Sequence, residues 1–172
     1  MKDLVHKLQK FAKKEFPSTE VTNFLNNYEL IEKDRLKYYH FSKKNYTRNL
    51  VFRNKYFEII ILCWSPGQIA PIHGHEGEKC WAKVEVGKLK FCNFNIISKN
   101  PLKLKNEKEI IGKKGFLDGP AEIHSVENIY DKNAVSLHIY AKPYDSCNIY
   151  DINTKKINRV NLEYHSKFGQ LC

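Results

Sequence analysis

Pro71-Ile72-His73-Gly74-His75-Glu76-Gly77 is the stretch on which the reading of this chain turns. It follows the apolar run Phe57-Glu58-Ile59-Ile60-Ile61-Leu62-Cys63-Trp64 and a Ser65-Pro66-Gly67 turn, so it reads as extended backbone. Residues i and i+2 of extended backbone project to the same side, and His73 and His75 can therefore reach one ion. An isolated His-x-His occurs by chance on many surfaces, so its surroundings decide its meaning. Further β-rich runs follow at 80–86, 89–94 and 134–140, with turn signals at Val86-Gly87-Lys88 and Asp118-Gly119-Pro120. Many short strands with no helical stretches between them predict an antiparallel sandwich or barrel rather than a parallel sheet.

Upstream the pattern is helical. Leu4, Val5, Leu8, Phe11 and Ala12 recur at helix spacing, as do Val21, Phe24, Leu25 and Tyr28, and Pro17-Ser18 separates the two runs. Ser18 is placed to cap the second helix, with Glu20 in its first turn. The expected plan is one domain over 1–172: a helical head over 1–38 and a β-barrel body over 39–172, with no repeat, low-complexity segment or linker.

Twenty-nine Lys and Arg against nineteen Asp and Glu give a formal charge of +10. The lysines are scattered as short pairs, without a long basic run or a nucleic-acid motif, and the aromatic residues alternate into a predicted core. That predicts a solvated basic surface and no nucleic-acid partner. No apolar stretch is long enough to span a bilayer, so no membrane association is expected. Five cysteines, odd in number and without a CxxC pair, follow an N-terminus lacking an apolar signal core. Reduced thiols and a cytoplasmic location are expected.

The spacing around the histidines narrows the reading. Gly67, His73-x-His75, Cys80 and Gly87 follow the first cupin motif, with Cys80 where that motif usually has a glutamate ligand. His124-x-x-x-Asn128 supplies the second motif, although Gly119-Pro120 departs from its usual Gly and Pro pattern. This resemblance implies a mostly β cupin jelly-roll barrel with His73, His75 and His124 meeting inside. Three neutral imidazoles suit iron, zinc, copper or nickel, and they leave the metal's charge uncompensated for an anionic, chelating substrate. A catalytic zinc would use the same opening for water.

Six segments then occur in the order and spacing of cysteine dioxygenase: Tyr46-Thr47-Arg48-Asn49-Leu50-Val51, Ile61-Leu62-Cys63-Trp64, His73-x-His75 with Cys80, His124-x-Val126-Glu127-Asn128, Ser136-Leu137-His138-x-Tyr140 and His165-Ser166-Lys167-Phe168-Gly169. The chain resembles that family from about Tyr46 to Gly169. The resemblance implies one Fe(II) per chain on the three histidines, L-cysteine and O2 as reactants, and cysteine sulfinate as product, the first step of cysteine catabolism. Arg48 is implied to hold the substrate carboxylate, for which a planar, permanently charged fork is suited, with Tyr46 as a nearby contact. Cys80 and Tyr140 match the family's thioether pair, and His138, backed by Ser136, matches a partner of the Tyr140 hydroxyl. Alternation places Ser136, His138 and Tyr140 on one strand face. Trp64 and Trp81 are expected in the barrel wall, Cys147 near the site entrance, and the protein is expected to be a monomer. The rival readings are a dioxygenase for 3-mercaptopropionate or cysteamine, against which Arg48 argues, and a non-catalytic metal-binding cupin.

Overall fold

The computed structural model describes the backbone of residues 1–172 and the side chains of all but Ala121. Three helices come first, α1 (Lys2–Ala12), α2 (Ser18–Asn27) and α3 (Glu32–Tyr38). Thirteen strands follow: β1 (Thr47–Arg53), β2 (Glu58–Trp64), β3 (Ile69–Gly74), β4 (Cys80–Val86), β5 (Lys88–Lys99), β6 (Leu102–Lys113), β7 (Leu117–Ala121), β8 (Ile123–Glu127), β9 (Ala134–Tyr140), β10 (Ser146–Asp151), β11 (Lys156–Asn161), β12 (Ser166–Lys167) and β13 (Gln170–Leu171). None of the described helices is long and apolar enough to cross a membrane.

The helices follow their apolar stripes. Leu4, Leu8 and Phe11 bury one face of α1, and Val21 and Leu25 one face of α2. Ser18 does not cap α2. Pro17 takes that position in extended conformation, its carbonyl accepting the Val21 amide at 3.0 Å, and Ser18 becomes the first helical residue. Proline tolerates this position because its fixed φ suits the turn into a helix, but it offers no side-chain acceptor, so α2 starts without a side-chain cap. The short α3, too brief to show a period of its own, is a third helix beyond the two runs read from the sequence.

The strands form two sheets, in the orders β13-β12-β1-β2-β9-β4-β7 and β11-β10-β3-β8-β5-β6, and this is the mostly β jelly roll expected of a cupin. Among the described residues only the β1–β12 pairing is parallel. In the larger sheet the period of two is explicit. Ile59, Ile61 and Cys63 of β2 and Val135, Leu137 and Ile139 of β9 pack with the helices. Ile60, Leu62 and Trp64 of β2 and Ala134 and Tyr140 of β9 face the barrel interior. Because helices cover one face and the second sheet the other, β2 and β9 are buried along their whole length. Each fully buried Leu or Ile contributes about 1.5–3 kcal/mol of transfer free energy.

Polar contacts fix the head to the barrel. Lys83 of β4 points outward and donates to the carbonyls of Leu25 at 2.8 Å and Tyr28, at the end of α2. Trp81 Nε1 donates to Thr22 Oγ1 at 3.1 Å. The ammonium meets the carbonyls a helix leaves unpaired, where its dipole favours a cation.

Candidate active site

His73 and His124 are direct cross-strand partners in the β3–β8 pair, after an irregularity in register between Ala70 and His73. His75 follows one residue beyond Gly74, where β3 ends. The donor nitrogens of the three imidazoles lie within 4.8 Å of one another. His75 and His124 are buried and His73 is half-buried.

The tautomers follow from what each ring touches. His73 Nδ1 lies 2.8 Å from the carbonyl of Pro71, which can only accept, so Nδ1 carries the proton and Nε2 is a free lone pair. His124 Nδ1 lies 3.4 Å from Asp118 Oδ2 and is likewise the donor. Its Nε2 is buried and has no hydrogen-bond partner among the described residues. A buried unpaired nitrogen is costly, and a metal ion would satisfy it. Burial, with His124 adding to it, pushes the His73 pKa down to about 3, so the ring is neutral and can act as a ligand at neutral pH. Burial pushes the Asp118 carboxyl up, but His124 and Asn93 outweigh that and hold it below its ordinary value. This donor set, three imidazoles with one ring oriented by a carboxylate, fits a divalent transition metal.

Cys80 of β4 sits directly opposite Tyr140 of β9 in the strand register, and both are buried in the same interior cluster. Burial raises the Cys80 thiol well above its usual range, so it is protonated at neutral pH. The backbone of β7 presses close behind: a Cβ on Gly119, whose φ is +120°, would come within 2.3 Å of the Cys80 carbonyl oxygen. The Tyr140 ring is 5.5 Å from that of His75.

Behind Tyr140 runs a buried relay. The Tyr140 hydroxyl lies 3.2 Å from His138 Nδ1, His138 Nε2 lies 2.9 Å from Ser136 Oγ, and Trp64 Nε1 donates to that Oγ at 3.0 Å. Burial, helped by His124 and His73, keeps His138 well below its ordinary pKa and therefore neutral. A neutral ring has one proton for two nitrogens, so the Tyr140 oxygen is either donor to His138 or acceptor from it, with Ser136 adjusting at the other end.

Arg48 of β1 lies on the wall of the same cavity, a small space of about 30 Å³ that His73, His138, Tyr140 and Cys147 also line. Its guanidinium lies 5.9 Å from the ring centre of Tyr144 and 5.6 Å from that of Tyr164, with Nη2 3.9 Å from Glu58 Oε1. Its Nε is buried without a hydrogen-bond partner among the described residues. Tyr46 lines the cavity too, with its ring stacked on Trp64 at 4.7 Å.

Three residues of this arrangement lie outside the sequence reading. Asp118 belongs to a stretch read as a turn, but it is a buried position in strand β7 whose carboxylate faces His124. Glu58 is fully buried, accepts from the Tyr164 hydroxyl at 2.5 Å and stands between Arg48 and Arg53. A lone charge inside the apolar run 57–64 was the available signal. Tyr144 carries no sequence signal beyond standing four residues after Tyr140. By contrast Trp64 and Trp81 are buried in the barrel wall as expected, His6 is exposed, and all five cysteines are free thiols.

Comparison with known proteins gives the family of the chain. Residues 1–153 match the family model for cysteine dioxygenase type I. The human cysteine dioxygenase type 1 is 35% identical over 173 residues, covering 97% of this chain and 86% of the relative. The Danio rerio cysteine dioxygenase type 1 is 32% identical over 180 residues, covering 99% and 88%. Among solved structures, a Thermus thermophilus protein superposes with a TM-score of 0.53 at 20% identity, over 67% of this chain and 98% of its own, a likeness of fold alone. With a match through most of its length and identity above 30% to relatives from fish to human, the chain belongs to the cysteine dioxygenase family and is a dioxygenase.

Proposed function

We propose that this protein oxidises free L-cysteine to cysteine sulfinate with O2, using one iron(II) held by His73, His75 and His124. The observation that carries the reading is the pairing, across one small cavity, of His73 from the three-imidazole cluster with a buried guanidinium whose Nε has no partner among the described residues. A substrate that satisfies both has a soft donor at one end and a carboxylate at the other. Iron(II) held by these three histidines would accept a thiolate and O2 and would favour the deprotonated sulfur.

The protein's own share is orientation, exclusion of water and control of one proton. Arg48, always charged and gripped between two tyrosine rings and Glu58, receives the carboxylate without having to reorganise. The walls of buried side chains around this small cavity limit the access of bulk water to it. The Tyr140 hydroxyl, positioned by His138 and Ser136, can give a hydrogen bond to the reacting end or take one back from His138. A thioether between Cys80 and Tyr140 would fix that phenol and remove a competing thiol, and the direct opposition of the two residues favours it. Both atoms of O2 end on sulfur and the substrate supplies the four electrons, so no further redox cofactor is needed.

The test is anaerobic reconstitution with Fe(II), addition of L-cysteine and O2, and quantitation of sulfinate and O2 uptake in wild type, His124→Ala and Arg48→Ala. The expected result is stoichiometric sulfinate in wild type, none in His124→Ala, and a large loss in Arg48→Ala with weakened cysteine binding. Turnover of 3-mercaptopropionate in preference to cysteine, or cysteine kinetics unchanged in Arg48→Ala, would refute the assignment.

A further inference from the structure

Tyr144 occupies the gap between the two ends of the cavity. Its ring meets that of Tyr140 edge-on at 5.0 Å and that of His75 at 5.9 Å, while the Arg48 guanidinium lies 5.9 Å from its centre. Packing accounts for the ring and leaves the hydroxyl unexplained. That oxygen is buried, and no hydrogen bond of good geometry reaches it from the described residues. Buried phenols ordinarily find a partner. The obvious neighbour, the Tyr140 hydroxyl, is close enough to be a hydrogen-bond partner, but the contact falls short of good geometry and Tyr140 is also 3.2 Å from His138 Nδ1. The Nε of Arg48 is in the same condition, so two donors on one wall of the cavity lack an acceptor among the described residues.

We propose that Tyr144 is a substrate-binding residue whose hydroxyl donates to the carboxylate that Arg48 receives. This rests on the functional reading above and adds to it a second contact that sets specificity. A carboxylate has two oxygens with about four lone-pair sites, enough to accept from the guanidinium fork and a phenol together. The guanidinium against the ring holds both donors in fixed relation, so they recognise a planar anion and give nothing to a thiol that lacks one.

The test is Tyr144→Phe in the iron-loaded protein, which keeps the ring and its packing and removes only the hydroxyl. Anaerobic equilibrium binding is measured for L-cysteine and for cysteamine, the same amine and thiol without the carboxylate, beside steady-state kinetics with cysteine. Loss of a hydrogen bond to a charged group weakens binding about ten- to a hundredfold. The expectation is therefore that Kd and KM for cysteine rise by that factor, kcat stays within a few-fold, and Kd for cysteamine is unchanged. Unchanged Kd and KM for cysteine, or equal weakening of both ligands, would overturn the proposal. So would a fall in kcat with Kd intact, since that places the hydroxyl at the reacting end. The two readings fail separately: a wild type that makes no sulfinate defeats the functional assignment, whereas an active enzyme indifferent to Tyr144→Phe removes only Tyr144.

Discussion

Asp118 is the clearest point at which a residue outside the metal cluster should control it. Its carboxylate is buried, with Oδ2 3.4 Å from His124 Nδ1 and Oδ1 accepting from Asn93 Nδ2 at 3.3 Å. It therefore fixes which His124 nitrogen keeps the proton and turns Nε2 toward His73 and His75. Carboxylates in this position are worth about 10–100-fold in metal affinity, or about 1.4–2.8 kcal/mol. The contact is at the long end of hydrogen-bond geometry, and Asn keeps an acceptor for the ring, so Asp118→Asn should lie near tenfold. Asp118→Ala, which also strands the Asn93 amide, should approach a hundredfold. The assay is anaerobic competition for Fe(II) against a chromogenic chelator, with circular dichroism to establish that each variant is folded. Folded Asp118→Ala that holds Fe(II) as tightly as wild type would refute the reasoning.

Three further outcomes are expected. After aerobic turnover, intact-mass analysis of wild type should show a fraction lighter by a pair of hydrogens, absent from Cys80→Ser and from Tyr140→Phe; its persistence in Cys80→Ser would exclude the thioether assignment. Lys83→Met should lower the unfolding free energy by about 2–3 kcal/mol in denaturant titrations, because carbonyls at the end of α2 lose charge-assisted bonds, while Fe(II) affinity stays the same. The metal-free protein should lose stability as pH falls. His73 is held at about 3 against an ordinary value near 6.5, so below about 6.5 the unfolded chain takes up a proton that the folded one refuses. Its share is fully present above 6.5 and drains away as pH falls toward 3, amounting to about 2 kcal/mol between pH 7 and pH 5. His138, shifted the same way, adds to it. A flat urea midpoint across that interval would contradict the burial of these rings.

The sequence was most legible where chemistry is local. Alternation in 134–140 and the apolar run 57–64 located β9 and all of β2, because strands buried on both faces read as continuous hydrophobic stretches. His73, His75 and His124 were legible as a set through their resemblance to the cupin motifs, whereas the shared face of Ser136, His138 and Tyr140 followed from alternation. What escaped depends on contacts remote in sequence. Asp118 looks like a turn residue until β7 is laid against β4, and Glu58 looks misplaced until two arginines and Tyr164 close round it. Tyr144 is one tyrosine among ten, and only the bend after β9 brings it over Arg48. Ser18 shows the opposite error: the helix starts one residue earlier than a capping Ser18 would need, with Pro17 at the cap position and no side-chain cap at all.

The segment His165-Ser166-Lys167-Phe168-Gly169 has no evident chemistry, yet its backbone is sewn to the strand that carries Arg48. The His165 amide donates to the Arg48 carbonyl at 2.8 Å, the Phe168 amide donates to the Leu50 carbonyl at 2.8 Å, and Ser166 Oγ donates to Asn49 Oδ1 at 2.8 Å. Without it β1 would be the rim of the seven-stranded sheet, with a row of unspent amides and carbonyls open to another chain. Placing two-residue strands there instead gives an intruding strand almost nothing to pair with. Protease clipping of this tail should therefore be felt twice, as self-association of the protein and as a loosened grip on the substrate's anionic end.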